Sequence, residues 1–480
     1  MTQAQKKALK MDIRVNEMNK EFFRPLLILV LAVVILGILA MLIPAWENSF
    51  IPIKQLHLLP VLNAEAEHGP EDSILVKEAP LIVNELRPLQ PFLDKLKNPG
   101  ENIRIAYFGD SIIEGDLLTA KLRSMLQAEH GGQGVGMVGI TSIVAGFRQT
   151  IKHSFARNWE TISFMNQGKP NVSLGITGHV YIPRNYYVAE KTIEPLQLDS
   201  LAVMDTSKVA TPQPQKKSTR FYVNTNPWVE YSAVGISGGA ASFKRIRLFY
   251  SEAGDSSYVL VSYDGAAKQK RYLSSRPGVQ ILDLSQATEA KKIRLEFSAY
   301  DPVHLYGVSF DQEKGAYVDN YPIRGYSGMY FQRIKPELWT GFQQHLQYDL
   351  IVLQYGENVS NPKLRDYSYY EKGMKNTIQH IKTTLPDVPI LLVSAHDRSI
   401  KQNGSYVTSP DIPYLVTSQS RVAKATGSGF WNLFAAMGGY GSMPSYVNRK
   451  PAYAGKDYTH FTRTGADHIA TMLLAYLKGN

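Results

Sequence analysis

Residues 103–109 read Ile-Arg-Ile-Ala-Tyr-Phe-Gly, run into Asp110 and Ser111, and are followed within a few positions by a helical period. Over 116–129 the apolar residues Leu117, Leu118, Leu122, Met125 and Leu126 fall on one helix face. A strand that turns sharply into a helix is the unit of an α/β sheet, so this segment constrains the chain more than any other. It also carries a serine to the carboxyl end of a strand, where functional groups collect in open α/β folds.

The rest of the chain supplies matching pieces. Residues 348–358 (Tyr-Asp-Leu-Ile-Val-Leu-Gln-Tyr-Gly-Glu-Asn) read as a second buried parallel strand ending in Gly356-Glu357-Asn358. Residues 320–328 read as a strand entering a glycine-rich turn at Gly325, and 389–395 and 429–434 as further strands. Helical patterns cover 369–384, 414–426 and 464–477. Just before the last of these stands Asp457-Tyr458-Thr459-His460. A serine hydroxyl is a poor nucleophile until a histidine takes its proton, and the histidine needs a carboxylate to fix its tautomer. Asp457 and His460 offer both in one short turn.

The order Ser111, Gly325, Asn358, His460 resembles the SGNH (GDSL-type) esterase and acyltransferase family. That resemblance implies a flavodoxin-like, three-layer α/β/α domain in which Ser111 is the nucleophile, His460 the base and Asp457 its orienter. It further implies an oxyanion hole made by the Ser111 and Gly325 N–H groups and the Asn358 amide. Glycine lets backbone approach a substrate, and a neutral amide donates without titrating. Two positions depart from the usual pattern: Glu357 stands between Gly356 and Asn358, and Arg324 precedes Gly325. These two, with Asp110 and the His396-Asp397 pair at the end of the 389–395 strand, are candidate substrate-lining residues. Glu114 and Asp116 read as solvated loop or helix-cap residues.

Between about residues 150 and 310 the texture changes to short alternating runs such as 228–231, 246–250, 258–263 and 293–297. Such spacing indicates an all-β sandwich inserted into the α/β domain. It resembles the jelly-roll, carbohydrate-binding-like module of bacterial peptidoglycan O-acetylesterases and O-acetyltransferases. The segment 134–139 formally matches G-x-G-x-x-G, but it follows a helix rather than a strand, so a structural loop is expected instead of a dinucleotide site.

Residues 26–43 form an uncharged apolar run of eighteen, about 27 Å as a helix and long enough for a bilayer core. Lys6, Lys7, Lys10, Arg14, Lys20 and Arg24 precede it, which places the amino terminus in the cytoplasm and the rest outside. The expected organisation is a cytoplasmic tail (1–25), a transmembrane signal anchor (26–45), a tether (46–100), a catalytic domain (101–150 and 311–480) and an inserted β-module (151–310). The net charge is +10; removing the tail's six basic and three acidic residues leaves +7, which suits anionic envelope surroundings and carries no stripe for nucleic acid. With no cysteine, disulfides and thiol chemistry are excluded. The scattered histidines have no metal-ligand spacing, and no cofactor is expected.

These readings converge on a membrane-anchored serine esterase or acyltransferase acting on O-acetyl groups of a cell-envelope polysaccharide, peptidoglycan first. A transferase would need an acetyl donor outside the cytoplasm, hence a multi-spanning membrane O-acyltransferase as partner. The competing readings are a catalytically idle glycan-binding scaffold and a lipase or thioesterase.

Overall fold

A computed structural model describes residues 84–165, 172–193 and 215–479. The expected membrane anchor and most of the tether lie outside the described residues; among those described, no helix is long and apolar enough to cross a membrane.

Five parallel strands form the central sheet: β1 (Ile103–Gly109), β2 (Ala316–Pro322), β3 (Leu350–Gln354), β4 (Ile390–Val393) and β5 (Gly429–Trp431). Their spatial order is β2-β1-β3-β4-β5, the flavodoxin-like arrangement with its switch point beside β1. The strands are apolar on both faces because helices cover both. Ala106, Phe108, Ile351 and Leu353 pack beneath helices Pro336–Leu346, Ser368–Thr384 and Ile412–Thr426. Ile105, Tyr107, Val352 and Leu391 pack under Gln90–Leu96, Leu117–His130 and Arg463–Lys478. Parallel register aligns Gly109 with Pro322 on one side and Gln354 on the other, so Ser111, the Gly325 turn and the Gly356 turn leave the sheet at one edge.

After the helix Leu117–His130, the segment between β1 and β2 forms a separate two-stranded pair, Tyr186–Ile193 with Gln215–Tyr222, and two large antiparallel sheets. One runs Gln269–Tyr272, Tyr258–Tyr263, Lys292–Phe297, Trp228–Ala233, Ile151–Phe155. The other runs Gln280–Asp283, Arg245–Ser251, His304–Asp311, His179–Pro183, Trp159–Ser163. Val229, Val261 and Leu295 of the first interleave with Leu248, Leu305 and Val308 of the second as a sandwich core. The second sheet is buried on its other face as well, where Ile162, Val180, Phe249 and Tyr306 join the core of the α/β domain. The module is therefore fused to the central sheet rather than strung beside it.

The glycine-rich segment differs from the loop expected of it. Gly136–Val138 is a short strand paired with His304–Asp311. Gly136 has φ +70°, and a Cβ there would fall 2.0 Å from Asp319 Oδ1. The glycines bring backbone against a buried carboxylate; they do not cradle a nucleotide. The 320–328 strand also begins earlier than its hydrophobic pattern suggests, at Ala316.

That carboxylate belongs to a buried charge cluster joining the two parts. Arg104 on β1 donates from Nε to Asp319 Oδ2 (2.8 Å), from Nη1 to Asp311 Oδ2 (2.8 Å) and from Nη2 to Ser309 Oγ (3.1 Å). Asp319 also accepts from the Met137 N–H (2.7 Å) and the Tyr348 hydroxyl (2.7 Å), while Arg247 of the module donates to Asp311. Removing one partner of a buried ion network strands the others without solvent. We expect Arg104→Ala to lower unfolding free energy by about 3–5 kcal/mol, read from urea melts. A loss below about 1 kcal/mol would show the cluster to be solvated.

Candidate active site

The strand-to-helix turn after β1 is shaped by Asp110, whose Oδ1 accepts from the Ile112 N–H (3.0 Å) and so tightens the chain just at Ser111. Far along the sequence, Asp457 closes its own turn: Oδ1 accepts from the N–H groups of Thr459 (3.1 Å) and His460 (3.1 Å). Its other oxygen, Oδ2, lies 2.7 Å from His460 Nδ1, and His460 Nε2 lies 3.0 Å from Ser111 Oγ. A carboxylate can only accept, so Nδ1 carries the proton and Nε2 presents its lone pair to the hydroxyl. Burial pushes the Asp457 carboxyl up, but the hydrogen bonds from His460 and Thr459 more than offset this and hold it below the usual range. Asp457 does not cap the last helix; Thr462 does, accepting from the Gly465 N–H (3.2 Å).

Asn358 ties three loops together. Its Nδ2 donates to Asp110 Oδ2 (2.8 Å) and to the Tyr326 carbonyl (3.2 Å), linking the turns after β1, β2 and β3. Tyr326 in turn stacks on Phe164 of the module with ring centroids 4.8 Å apart. Gly325, next to Tyr326, adopts φ +76°, and its Cα faces open space apart from the Met165 methyl. A positive φ of this size is cheap only for glycine.

The candidate lining residues divide. Arg324 is exposed and forms a bidentate contact with Glu114, Nε to Oε1 at 3.1 Å and to Oε2 at 3.0 Å. Asp110, His396 and Asp397 are buried and do not line an open surface. Asp110 instead positions Asn358 and the Ser111 turn. Asp397 accepts from the Met443 N–H (2.7 Å) and the Ser442 hydroxyl (3.2 Å), anchoring the helix Ser442–Asn448. His396 Nε2 donates to the Thr459 carbonyl (2.8 Å), and Nδ1 lies 3.1 Å from Glu357 Oε1. It braces the Asp457–His460 turn against the Asn358 turn. Glu114 and Asp116 are also buried rather than solvated. Asp116 is engaged by Arg123, by Arg148 (3.2 Å) and by the Thr150 hydroxyl (2.6 Å).

Apart from Asp116–Arg123, seven residues apart, these polar bridges join residues remote in sequence, which is why no local pattern announced them. Among the described residues there is no cluster of His, Asp and Glu able to hold a metal ion.

No protein-family model and no curated protein matches the chain. Among solved structures, it is similar to a peptidoglycan O-acetylesterase at 22% identity and TM-score 0.57, over 82% of this chain and 95% of that one. It is also similar, at TM-score 0.25 and 10% identity, to a family two carbohydrate esterase from Clostridium thermocellum, over 53% of this chain and 92% of that one. At these identities the first likeness speaks to the fold, which is a three-layer α/β core with an inserted antiparallel module.

Burial raises two acids beside the candidate triad, Asp110 and Glu357, each to about 7. For Glu357 the desolvation outweighs the attraction of Arg398 and the His396 backbone N–H, and Asp411 adds repulsion. Burial likewise lowers His396 to about 4, leaving Nδ1 an acceptor toward the acid. A carboxyl that binds its proton more tightly when folded loses stability as pH rises from the unfolded value toward the folded one. The window for Glu357 is thus about pH 4.5 to 7. Glu357→Gln should therefore melt higher than the parent at pH 8, by as much as about 3 kcal/mol, with the difference vanishing near pH 4. Parallel melting curves across this range would show that Glu357 ionises freely.

Proposed function

We propose that the protein is a serine esterase or acyltransferase working through an acyl-Ser111 intermediate on O-acetyl groups of a cell-envelope polysaccharide, peptidoglycan foremost. The observation that carries the reading is the continuous hydrogen-bond chain Ser111 Oγ–His460–Asp457, with the imidazole in the tautomer a general base requires. His460 takes the hydroxyl proton as Ser111 attacks the ester carbonyl, Asp457 steadies the imidazolium, and His460 returns the proton to the leaving sugar oxygen. Water, or a second sugar hydroxyl, then attacks the acyl-serine by the same route reversed.

The developing oxyanion falls to the Ser111 and Gly325 N–H groups and to Asn358. In the resting geometry Asn358 already spends its amide on Asp110 and Tyr326, so taking up the oxyanion means exchanging the longer bond, to Tyr326, for a charged acceptor. The similarity in fold to a peptidoglycan O-acetylesterase supports this substrate class. An idle scaffold has no use for an aligned triad. The expected membrane anchor favours transfer and a multi-spanning acyl-donating partner.

Ser111→Ala is expected to abolish turnover of p-nitrophenyl acetate while the circular dichroism spectrum stays that of the parent. Activity surviving above background would remove the serine mechanism. Asn358→Ala should cut kcat by about 10²–10³ with little change in KM, because its contact strengthens only in the transition state. An effect confined to KM would make Asn358 a ground-state binding group. With an activated acetyl ester and a chitooligosaccharide acceptor, mass spectrometry should find O-acetylated sugar beside free acetate. Acetate alone over a range of acceptors would make the protein an esterase.

A further inference from the structure

Where the β-module meets the α/β domain lies a cleft of about 320 Å³. One side is formed by the end of β2 and the turn after Ser111, and the other by module strands Trp159–Ser163 and His179–Pro183. Its lining includes Glu114, the third residue after Ser111, and Arg324, which precedes Gly325, so it borders the turns that carry those two residues. The loop 141–148 roofs it, with Phe147 packed on Gly115 so closely that a Cβ there would meet the ring at 2.3 Å.

The chemistry of the lining is specific. Its carboxylate and both its guanidinium groups are already engaged, Arg324 with Glu114 and Arg148 with Asp116. The remaining polar groups are neutral. His153 donates from Nε2 to the Ile140 carbonyl (3.0 Å) and His179 from Nδ1 to the Thr177 carbonyl (2.8 Å), so each keeps one ring nitrogen as an acceptor. Burial lowers both imidazoles, His153 to about 4, which keeps them uncharged at neutral pH. Thr141 and Thr161, whose hydroxyls hydrogen-bond each other (2.9 Å), and Ser142, which accepts from the Val144 N–H (3.2 Å), line it together with the apolar Met137, Val144 and Met165. Neutral donors and acceptors set among apolar patches match a pyranose ring, with its hydroxyls and C–H faces. A long acyl chain would want an unbroken apolar wall, and a phosphate or uronate would want an unpaired cation.

We propose that this interdomain cleft is the subsite for the neutral sugar ring adjoining the scissile acyl group, so that module and α/β domain bind one glycan jointly. The proposal rests on the esterase reading above and gives that site its substrate class.

The test uses the Ser111→Ala protein, which binds without turnover, and an N-acetylglucosamine tetrasaccharide followed by calorimetry. Thr161 is exposed on its strand, so Thr161→Trp fills the cleft without entering the core. Adding Thr161→Trp, or His179→Ala should the first not fold, is expected to weaken binding at least about tenfold. In the Ser111-containing protein the same changes should lower the ratio of kcat/KM for O-acetylated glycan to that for p-nitrophenyl acetate by about as much. Absence of tetrasaccharide binding, equal binding by parent and variants, or an unmoved ratio would each overturn the subsite. Ester turnover that survives Ser111→Ala would overturn the serine mechanism instead, and leaves the binding result to stand or fall by itself.

Discussion

Arg104 is the point on which the architecture turns. It sits on the first strand of the sheet, yet its guanidinium is spent on Asp319 of the neighbouring strand and Asp311 at the end of the module. Three segments brought together over more than two hundred positions of sequence thus share one buried charge. A lone cation in such a place would be costly; two carboxylates, a serine and two tyrosine rings make it tolerable. The cluster sits at the amino end of the sheet, opposite the edge from which Ser111 emerges. Rigidity is concentrated at one end and chemistry left at the other.

The same logic makes the β-module part of the site. Because its second sheet is buried on both faces, Phe164 reaches the Tyr326 ring, and Tyr326 holds Asn358. A change in the module is therefore felt within two contacts of the proposed oxyanion hole. This is why point substitutions in the cleft are better probes than removal of the module, which would bare Phe331 and Phe342, the rings that Phe164, Phe249 and Tyr306 cover.

Much of this was legible in the residues. The α/β alternation and the inserted β-rich stretch were visible because hydrophobic period reports local structure directly. Ser111, Asp457 and His460 could be singled out because each sits in a short, chemically unusual turn, and the structure brings their side chains into one hydrogen-bonded line. What could not be read was the function of polar residues whose partners lie far away. His396 and Asp397 looked like lining residues because their strand ends at the right edge, but their side chains turn inward to brace Thr459 and Met443. Glu114 and Asp116 looked solvated because charge usually is; the arginine on Glu114 comes from another segment, and Asp116 is held by Arg148 as well as by Arg123 seven residues on. The short strand at Gly136 was hidden by glycines whose purpose, room for Asp319, exists only in three dimensions.

Splicing the module between β1 and β2 also sets an order of events during synthesis. Gly109 and Ala316 are separated by about 200 residues, some 10–40 s of translation at ordinary rates. Throughout that interval β1 has neither of its neighbours, since β3 is made later still. The first strand to be born thus waits longest for a neighbour, and the contact order of the sheet is correspondingly high. An apolar strand with two open edges is a template for pairing with other chains.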